Sequence, residues 1–313
     1  MSKFVSVFAP TMDGMFDYRE ALGFSRQTHE ANLLSFDRYC VERNVHEPEL
    51  TENLVWGWLN TQSAQKRAGM NNKAISIRIF AKYLAAIGQT AYILPDEMFA
   101  VKKAPAPYLF TDTELERLFS TIDNLSDMEG FYTTIALVLF RLIYTCGLRP
   151  NEGRELRRCN INLDTGEILI TKTKRHKERI VVMSDEMLDF CRRYDKRINP
   201  GDFFFPAIGE APFTAKRMND LFTECWQRAN PKVKSLPTVR VYCLRHRFAS
   251  TVLTRWLDER KDLYAMLPYL SAYMGHDTLS ETAYYIHILP ENLIKSAGID
   301  WAAFERLIPE VGV

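Results

Sequence analysis

The sequence predicts a mainly α-helical protein with one small antiparallel β-sheet, an α+β chain divided into two domains. Three observations predict this. Apolar residues recur at helical spacing along most of the chain. A single pair of β-branched runs flanks a basic turn near residues 168–182. A stretch rich in proline and lysine interrupts the helical pattern at 102–107, and 313 residues exceed one ordinary compact domain.

Residues 1–24 read as an N-terminal extension, and residues 25–101 as a helical domain. "SRQTHEANLLSFDRYCVERN" places Leu33, Leu34, Phe36, Tyr39 and Cys40 along one face, with Ser25 and Thr28 as candidate caps. Thr51 is the expected cap of the next helix. "MNNKAISIRIFAKYLAAIG" carries an apolar stripe (Ile75, Ile77, Ile79, Phe80, Tyr83, Leu84), and Gly88 is placed to end it. Lys102 to Pro107 suits an extended linker, so a second domain is expected over 108–313.

That domain opens on a capping box, Thr111 with Glu114 three residues on, leading into Leu115 and Leu118. A long apolar helix, "FYTTIALVLFRLIYTCG", should stop at Gly147, followed by a short helix around Asn151 to Leu156. Ile168–Thr171 and Arg179–Val182 are the expected strands, and the chain from Ser184 onward reads as helical.

Composition narrows the function. Apolar and charged fractions of 47% and 25% are those of a globular protein. With no long apolar run and no signal peptide, a cytoplasmic protein without a membrane partner is expected. Six scattered cysteines, six histidines and the lack of CxxC or HExxH predict no metal and no cofactor. The net charge of +1 hides a gradient: Arg141 to Arg260 holds 24 Lys and Arg against 15 Asp and Glu. A basic middle in a neutral whole fits an electropositive cleft for a polyanion.

Four stretches carry the chemistry. In "TCGLRPNEGREL", Arg149 precedes Pro150 at a helix start, with Glu152 as an expected ion-pair partner. In "KTKRHKER", Lys172, Lys174, Arg175, Lys177 and Arg179 crowd a hairpin that suits phosphate contact. In "VYCLRHRFASTVL", Arg245 sits amid Leu244, Phe248 and Val252, where a charge needs a partner or a task, while His246 and Arg247 are read as facing solvent or phosphates. Last comes "YMGHDTLSETAYYIH", with Gly275, His276 and the tyrosines Tyr284 and Tyr285.

In this order the four resemble the tyrosine recombinases, the phage integrase family of lambda integrase and the Xer-like site-specific recombinases. The family pattern is G-L-R-x-x-E, a lysine in a basic hairpin, H-x-L-R-H-x-F-A-[ST], L-G-H, and a tyrosine nine residues after that histidine. This chain reads GLRPNE at 147–152, TKRHKER at 173–179, YCLRHRFAS at 242–250 and MGH at 274–276, and nine residues beyond His276 is Tyr285.

The resemblance covers roughly 108–290, and more weakly makes 25–101 a helical, SAM-like core-binding domain. It implies a bacterial, nucleoid-associated DNA integration and recombination enzyme of a mobile genetic element, working on double-stranded DNA through a 3′-phosphotyrosine and a Holliday junction. Neither metal nor ATP is needed. Carried over by position, Arg149 and Arg245 clamp the phosphate, Tyr285 is the nucleophile, and Lys174 is the general acid, with Lys172 and Lys177 as alternatives. His276 contacts the phosphate or helps position the nucleophile, and Glu152 supports Arg149. Lys73, Arg78, Lys172, Arg175, Lys177 and Arg247 are expected DNA contacts.

One position departs from the pattern: Tyr242 stands where the family has histidine. Its phenol, with an ordinary pKa near 10, is a poor base at neutral pH but can still donate a hydrogen bond. Tyr284 is expected to be a packing aromatic, because adjacent helical residues diverge by about 100°. The amphipathic end (Ile299, Trp301, Phe304, Leu307, Ile308) is expected to join protomers into a tetramer on paired sites, with accessory directionality proteins as further partners. No arm-binding domain is expected before residue 25. A type IB topoisomerase-like relaxing enzyme and a DNA-binding protein of weakened catalysis fit the same residues.

Overall fold

A computed structural model describes residues 3–61, 67–99, 107–126, 130–171, 178–198, 201–208, 211–233 and 235–287. Its contacts divide the chain into two units, Met1–Pro105 and Ala106–Val313.

The first unit is helical: α1 (Ala9–Ala21), α2 (Gln27–Glu42), α3 (Glu52–Asn60) and α4 (Arg67–Ala86). Each turns an apolar stripe inward. Phe8 and Phe16, Phe36, Trp58 and Phe80 are fully buried together, with Phe36 and Trp58 edge-on at 5.3 Å. The segment read as an extension therefore belongs to this core, because Phe8, Met12, Met15 and Phe16 supply four of its buried residues. Buried Asp37 ties the chain down by accepting from Val5 and Ser6 N–H, both at 2.9 Å. The Thr51 cap forms, accepting from Leu54 N–H at 3.3 Å. Ser25 and Thr28 do not cap α2: it starts at Gln27 behind Arg26, with no side-chain cap. Glu30 in its first turn offsets that lack, taking Arg26 and Lys3 as ion partners.

The second unit is built around α6 (Phe131–Cys146), whose Ile135, Leu139, Phe140, Leu142 and Ile143 are all fully buried. A helix apolar on every side must be wrapped. Around it pack α5 (Asp112–Ser126), α7 (Pro150–Arg154), α8 (Asp185–Asp195), α9 (Ala215–Ala229) and α10 (Tyr242–Asp258). The capping box forms as expected, with Thr111 N–H donating to Glu114 and Glu114 N–H to Thr111 Oγ1.

The sheet is one antiparallel pair, β1 (Glu167–Ile170) and β2 (Arg179–Val182), with Ile170 opposite Arg179. Ile168, Ile170 and Val181 face the core, while Ile180 and Val182 face outward. The basic turn between the strands, the linker at 102–106 and the segment 288–313 lie outside the described residues. A smaller apolar cluster closes the unit, formed by α10, α11 (Leu263–Met274) and α12 (Leu279–His287). Among the described residues, no helix is long and apolar enough to cross a membrane.

Gly147 ends α6 in the left-handed conformation at φ 61°, and a Cβ there would collide with the Phe248 ring. Backbone conformation and space both demand glycine. Gly147→Ala combines a left-handed L-residue, about 1–2 kcal/mol, with overpacking of about 1–3 kcal/mol. Urea denaturation should show the second unit destabilised by about 2–5 kcal/mol.

Candidate active site

The site forms where helix α11 stops. Gly275 takes a left-handed φ of 67°, leaving the last carbonyls of α11 without helical partners. Three consecutive carbonyls each accept from a different arginine. Arg179 Nε donates to Tyr273 O at 2.8 Å, Arg245 Nη2 to Met274 O at 2.7 Å, and Arg149 Nη2 to Gly275 O. The negative end of the helix dipole favours the cations there. Arg245 Nη1 also donates to Gly147 O at 2.6 Å, which joins the end of α6 to the end of α11.

Glu152 organises two of the three. Pro150 starts α7 and sets Arg149 at its N-cap, so Glu152 in the first turn reaches back to Arg149 N–H at 2.8 Å and Arg149 Nη1 at 2.9 Å. On its other side Glu152 takes Arg179 bidentately at 2.9 and 2.7 Å. The carboxylate is only 4% exposed. Burial alone would raise its pKa, but the two guanidinium partners hold it below the ordinary carboxylate range. The same pairing raises Arg149 despite its burial.

Tyr285 lies in this cluster, 3% exposed. His276 stacks on its ring at 5.9 Å and 14°, and His246 lies against it at 5.5 Å. Tyr242 packs on His246 at 4.9 Å and is 37% exposed. His276 Nδ1 is fixed by Thr282 Oγ1 at 2.7 Å. Burial raises the Tyr285 phenol to about 12, opposed in part by Arg245 beside it. Burial, then Arg245 and Arg149, push His276 down to about 3; burial and Arg245 push His246 down to about 4. The free site is therefore a cationic cluster around neutral imidazoles and a protonated phenol.

Arg149, Glu152 and Tyr242 also line a cavity of about 390 Å³, together with Asn151, Asp277 and Glu281. Among the described residues, no group of three or more His, Cys, Asp or Glu side chains could hold a metal ion.

The structure thus brings together Arg149, Glu152, Tyr242, Arg245, His276 and Tyr285 from positions far apart in the chain. Lys172, Lys174, Arg175 and Lys177 lie outside the described residues. Three expected DNA contacts have partners within the protein. Arg78 is 8% exposed and donates to Leu94 O and Pro95 O, at 2.8 and 2.6 Å, beside Asp96. Lys73 is 7% exposed and lies over the Trp58 ring. Arg247 donates to Asp112. Tyr284 is exposed at 42% rather than packed, since the buried stripe of α12 runs through Thr282, Ala283, Tyr285 and Ile286.

The Phage integrase family matches residues 109–292, more than half of the chain. The chain belongs to the phage integrase family. It is a tyrosine recombinase, an enzyme of site-specific DNA breaking and rejoining. It is 28% identical over 295 residues to the putative integrase/recombinase y4rE of Sinorhizobium fredii, covering 91% of this chain and 93% of that protein. It is 24% identical to the tyrosine recombinase XerD of Pseudomonas putida, covering 86% and 88%. In fold it is similar to the XerH site-specific recombinase bound to a palindromic difH substrate, with a TM-score of 0.61 and 20% identity over 88% and 79% of the two chains. The Tn1549 transposon integrase bound to transposon right end DNA gives a TM-score of 0.63, with 14% identity over 95% and 99%.

Two residues of this integrase site escape a reading of the sequence. Arg179 falls among the hairpin charges, although its place as the first residue of a strand opposite buried Ile170 is a readable signal. His246 reads as facing solvent, yet the Tyr285 ring covers it from α12. That contact spans 39 positions, from 246 to 285, and no local pattern announces it.

Acid stability follows from these groups. The histidines, depressed to about 4 and 3, exclude protons that the unfolded chain binds below about 6.5, so stability falls as pH drops below that value. Glu152, with its folded pKa lowered, contributes stability above its ordinary carboxylate value that is lost as pH falls through the folded value. Glu152→Gln should cost about 3–5 kcal/mol at pH 7 by stranding buried guanidinium charge. Melting curves from pH 3 to 8 should show this deficit shrinking at the acid end.

Proposed function

We propose that this recombinase cuts and rejoins duplex DNA through a covalent 3′-phosphotyrosine on Tyr285. The observation that carries this reading is the meeting of Tyr285 with Arg245, Arg149 and His276, drawn from α12, α10, α7 and the end of α11. Arg149 and Arg245 neutralise the non-bridging oxygens of the scissile phosphate, for which planar guanidinium groups are suited. The Tyr285 oxygen bonds to phosphorus, the bond from phosphorus to the 5′-oxygen breaks, and the hairpin lysine Lys174 protonates the departing oxygen. The phosphotyrosine conserves the bond energy, so the 5′-hydroxyl of a partner strand can displace it without ATP. Two rounds of exchange pass through a Holliday junction.

His276, fixed by Thr282, directs its other nitrogen to the phosphate. Glu152 and Arg179 act by holding Arg149 in place. The basic hairpin (Lys172, Arg175, Lys177) supplies further backbone contacts. Pairs of protomers on two sites form the working tetramer, joined by the amphipathic C-terminal segment. The putative integrase/recombinase relatives and the transposon integrase of similar fold support a role on a mobile element.

Tyr285→Phe should abolish covalent trapping on a nicked suicide duplex made from the DNA flanking the gene, with DNA affinity unchanged in a gel-shift titration. Tyr284→Phe should trap DNA at the wild-type level. Trapping by Tyr285→Phe would refute the assignment.

A further inference from the structure

The proposed chemistry leaves one proton without a destination. Tyr285 must lose its phenolic proton as its oxygen attacks, and burial makes that loss harder. Most neighbouring groups are unable to receive it. Arginine side chains offer no acceptor. The Glu152 carboxylate is saturated by Arg149 and Arg179. His276 has its Nδ1 committed to Thr282. Tyr242 is a phenol itself, and one phenol has no tendency to take a proton from another.

His246 differs from all of these. Its ring lies between Tyr242 and Tyr285, and its Nδ1 is buried with no hydrogen-bond partner among the described residues. A buried polar atom left unpaired is costly, a cost expected where a group is reserved for use. In the neutral form with the proton on Nε2, Nδ1 carries a free lone pair.

We propose that His246 positions the Tyr285 phenol and accepts its proton, the task for which Tyr242 is chemically unsuited. This rests on Tyr285 being the nucleophile. In the forward step the Tyr285 O–H bond breaks and its proton moves to His246. The Tyr285 oxygen bonds to phosphorus, the phosphorus bond to the 5′-oxygen breaks, and Lys174 gives that oxygen a proton. On rejoining, each proton returns along its path and His246 is neutral again.

Burial first, then Arg245 on its own helix, depress His246; the groups that face its ring are Tyr242 on the same helix and Tyr285 from α12, with His276 stacked beyond Tyr285. Arg245 is the cation that resists protonation of His246. The scissile phosphate, docked on Arg245, offsets that charge and raises the proton affinity of the imidazole when substrate is present.

The test is single-turnover formation of the covalent adduct across pH 5 to 9 on the nicked suicide duplex. His246→Phe keeps a ring in the same packing, and His246→Asn keeps a polar atom near Nδ1 without basicity. Both should bind DNA as wild type does and cleave about 100-fold more slowly at pH 7.5. Both should also lose the fall in rate that wild type shows toward acid pH. Adding Tyr242→His to His246→Phe should recover at least about tenfold, because it returns an imidazole beside the phenol. Cleavage by either single variant within about threefold of wild type, or an unchanged acid limb, would overturn the proposal. Absence of any adduct with the wild-type protein would instead overturn the assignment of Tyr285, so the two failures are distinguishable.

Discussion

The arrangement depends on a single buried carboxylate. Glu152 binds Arg149 on one side and Arg179 on the other, at 4% exposure, and so ties helix α7 to strand β2. Both arginines then continue to the end of α11, one to Gly275 O and one to Tyr273 O. Desolvating three charged groups is expensive, and buried ion pairs often do no more than recover that expense. Their return here is geometric. Arg149 cannot rotate away without breaking bonds to two different elements, so its fork is fixed before any ligand arrives. Gly275 is part of the same device, because a Cβ there would lie 2.8 Å from Arg179 Nη1.

Burial, and after it the fixed cations, set the protonation of the rings around them. Arg149, Arg179 and Arg245 outnumber the one carboxylate that pairs with them, and the nearby rings respond by remaining neutral. A net positive cluster of this kind suits a phosphate diester. The field is already oriented, so docking requires little reorganisation of the protein. Burial and then the same field make His276 and His246 weak bases in the free protein.

Local signals are the ones legible in the sequence. Gly147, Thr51 and the Thr111–Glu114 box each speak through a backbone rule confined to a few residues, and each forms as written. Arg149 and Glu152 are readable for the same reason, three residues apart at a helix start. What is not legible needs tertiary knowledge. Arg179 and Arg78 look like surface charge because sequence records no partner 27 or 16 residues away. The first 24 residues look like an extension because α1 has only a weak apolar stripe and declares itself by packing Phe8 and Phe16 into the core, Phe8 against Phe36 and Phe80. For α12, the 100° divergence separates the tyrosines correctly but does not say which side of the helix is covered.

Tyr285 does not sit in the main core of its unit. It belongs to the small cluster of α10, α11 and α12, whereas the α6 core ends at Leu244. Arg245 is the next residue, and its two η nitrogens join the carbonyl ending α6 to one ending α11. Tyr285, the proposed nucleophile, is therefore carried on a nine-residue helix too short to persist alone in water, held by Ala283, Ile286 and its own ring. Small clusters open at lower free energy than the core they adjoin. The charge cluster of Arg149, Arg179 and Glu152 is thus built on α7, β2 and the end of α11, whereas Tyr285 is placed by the packing of α12.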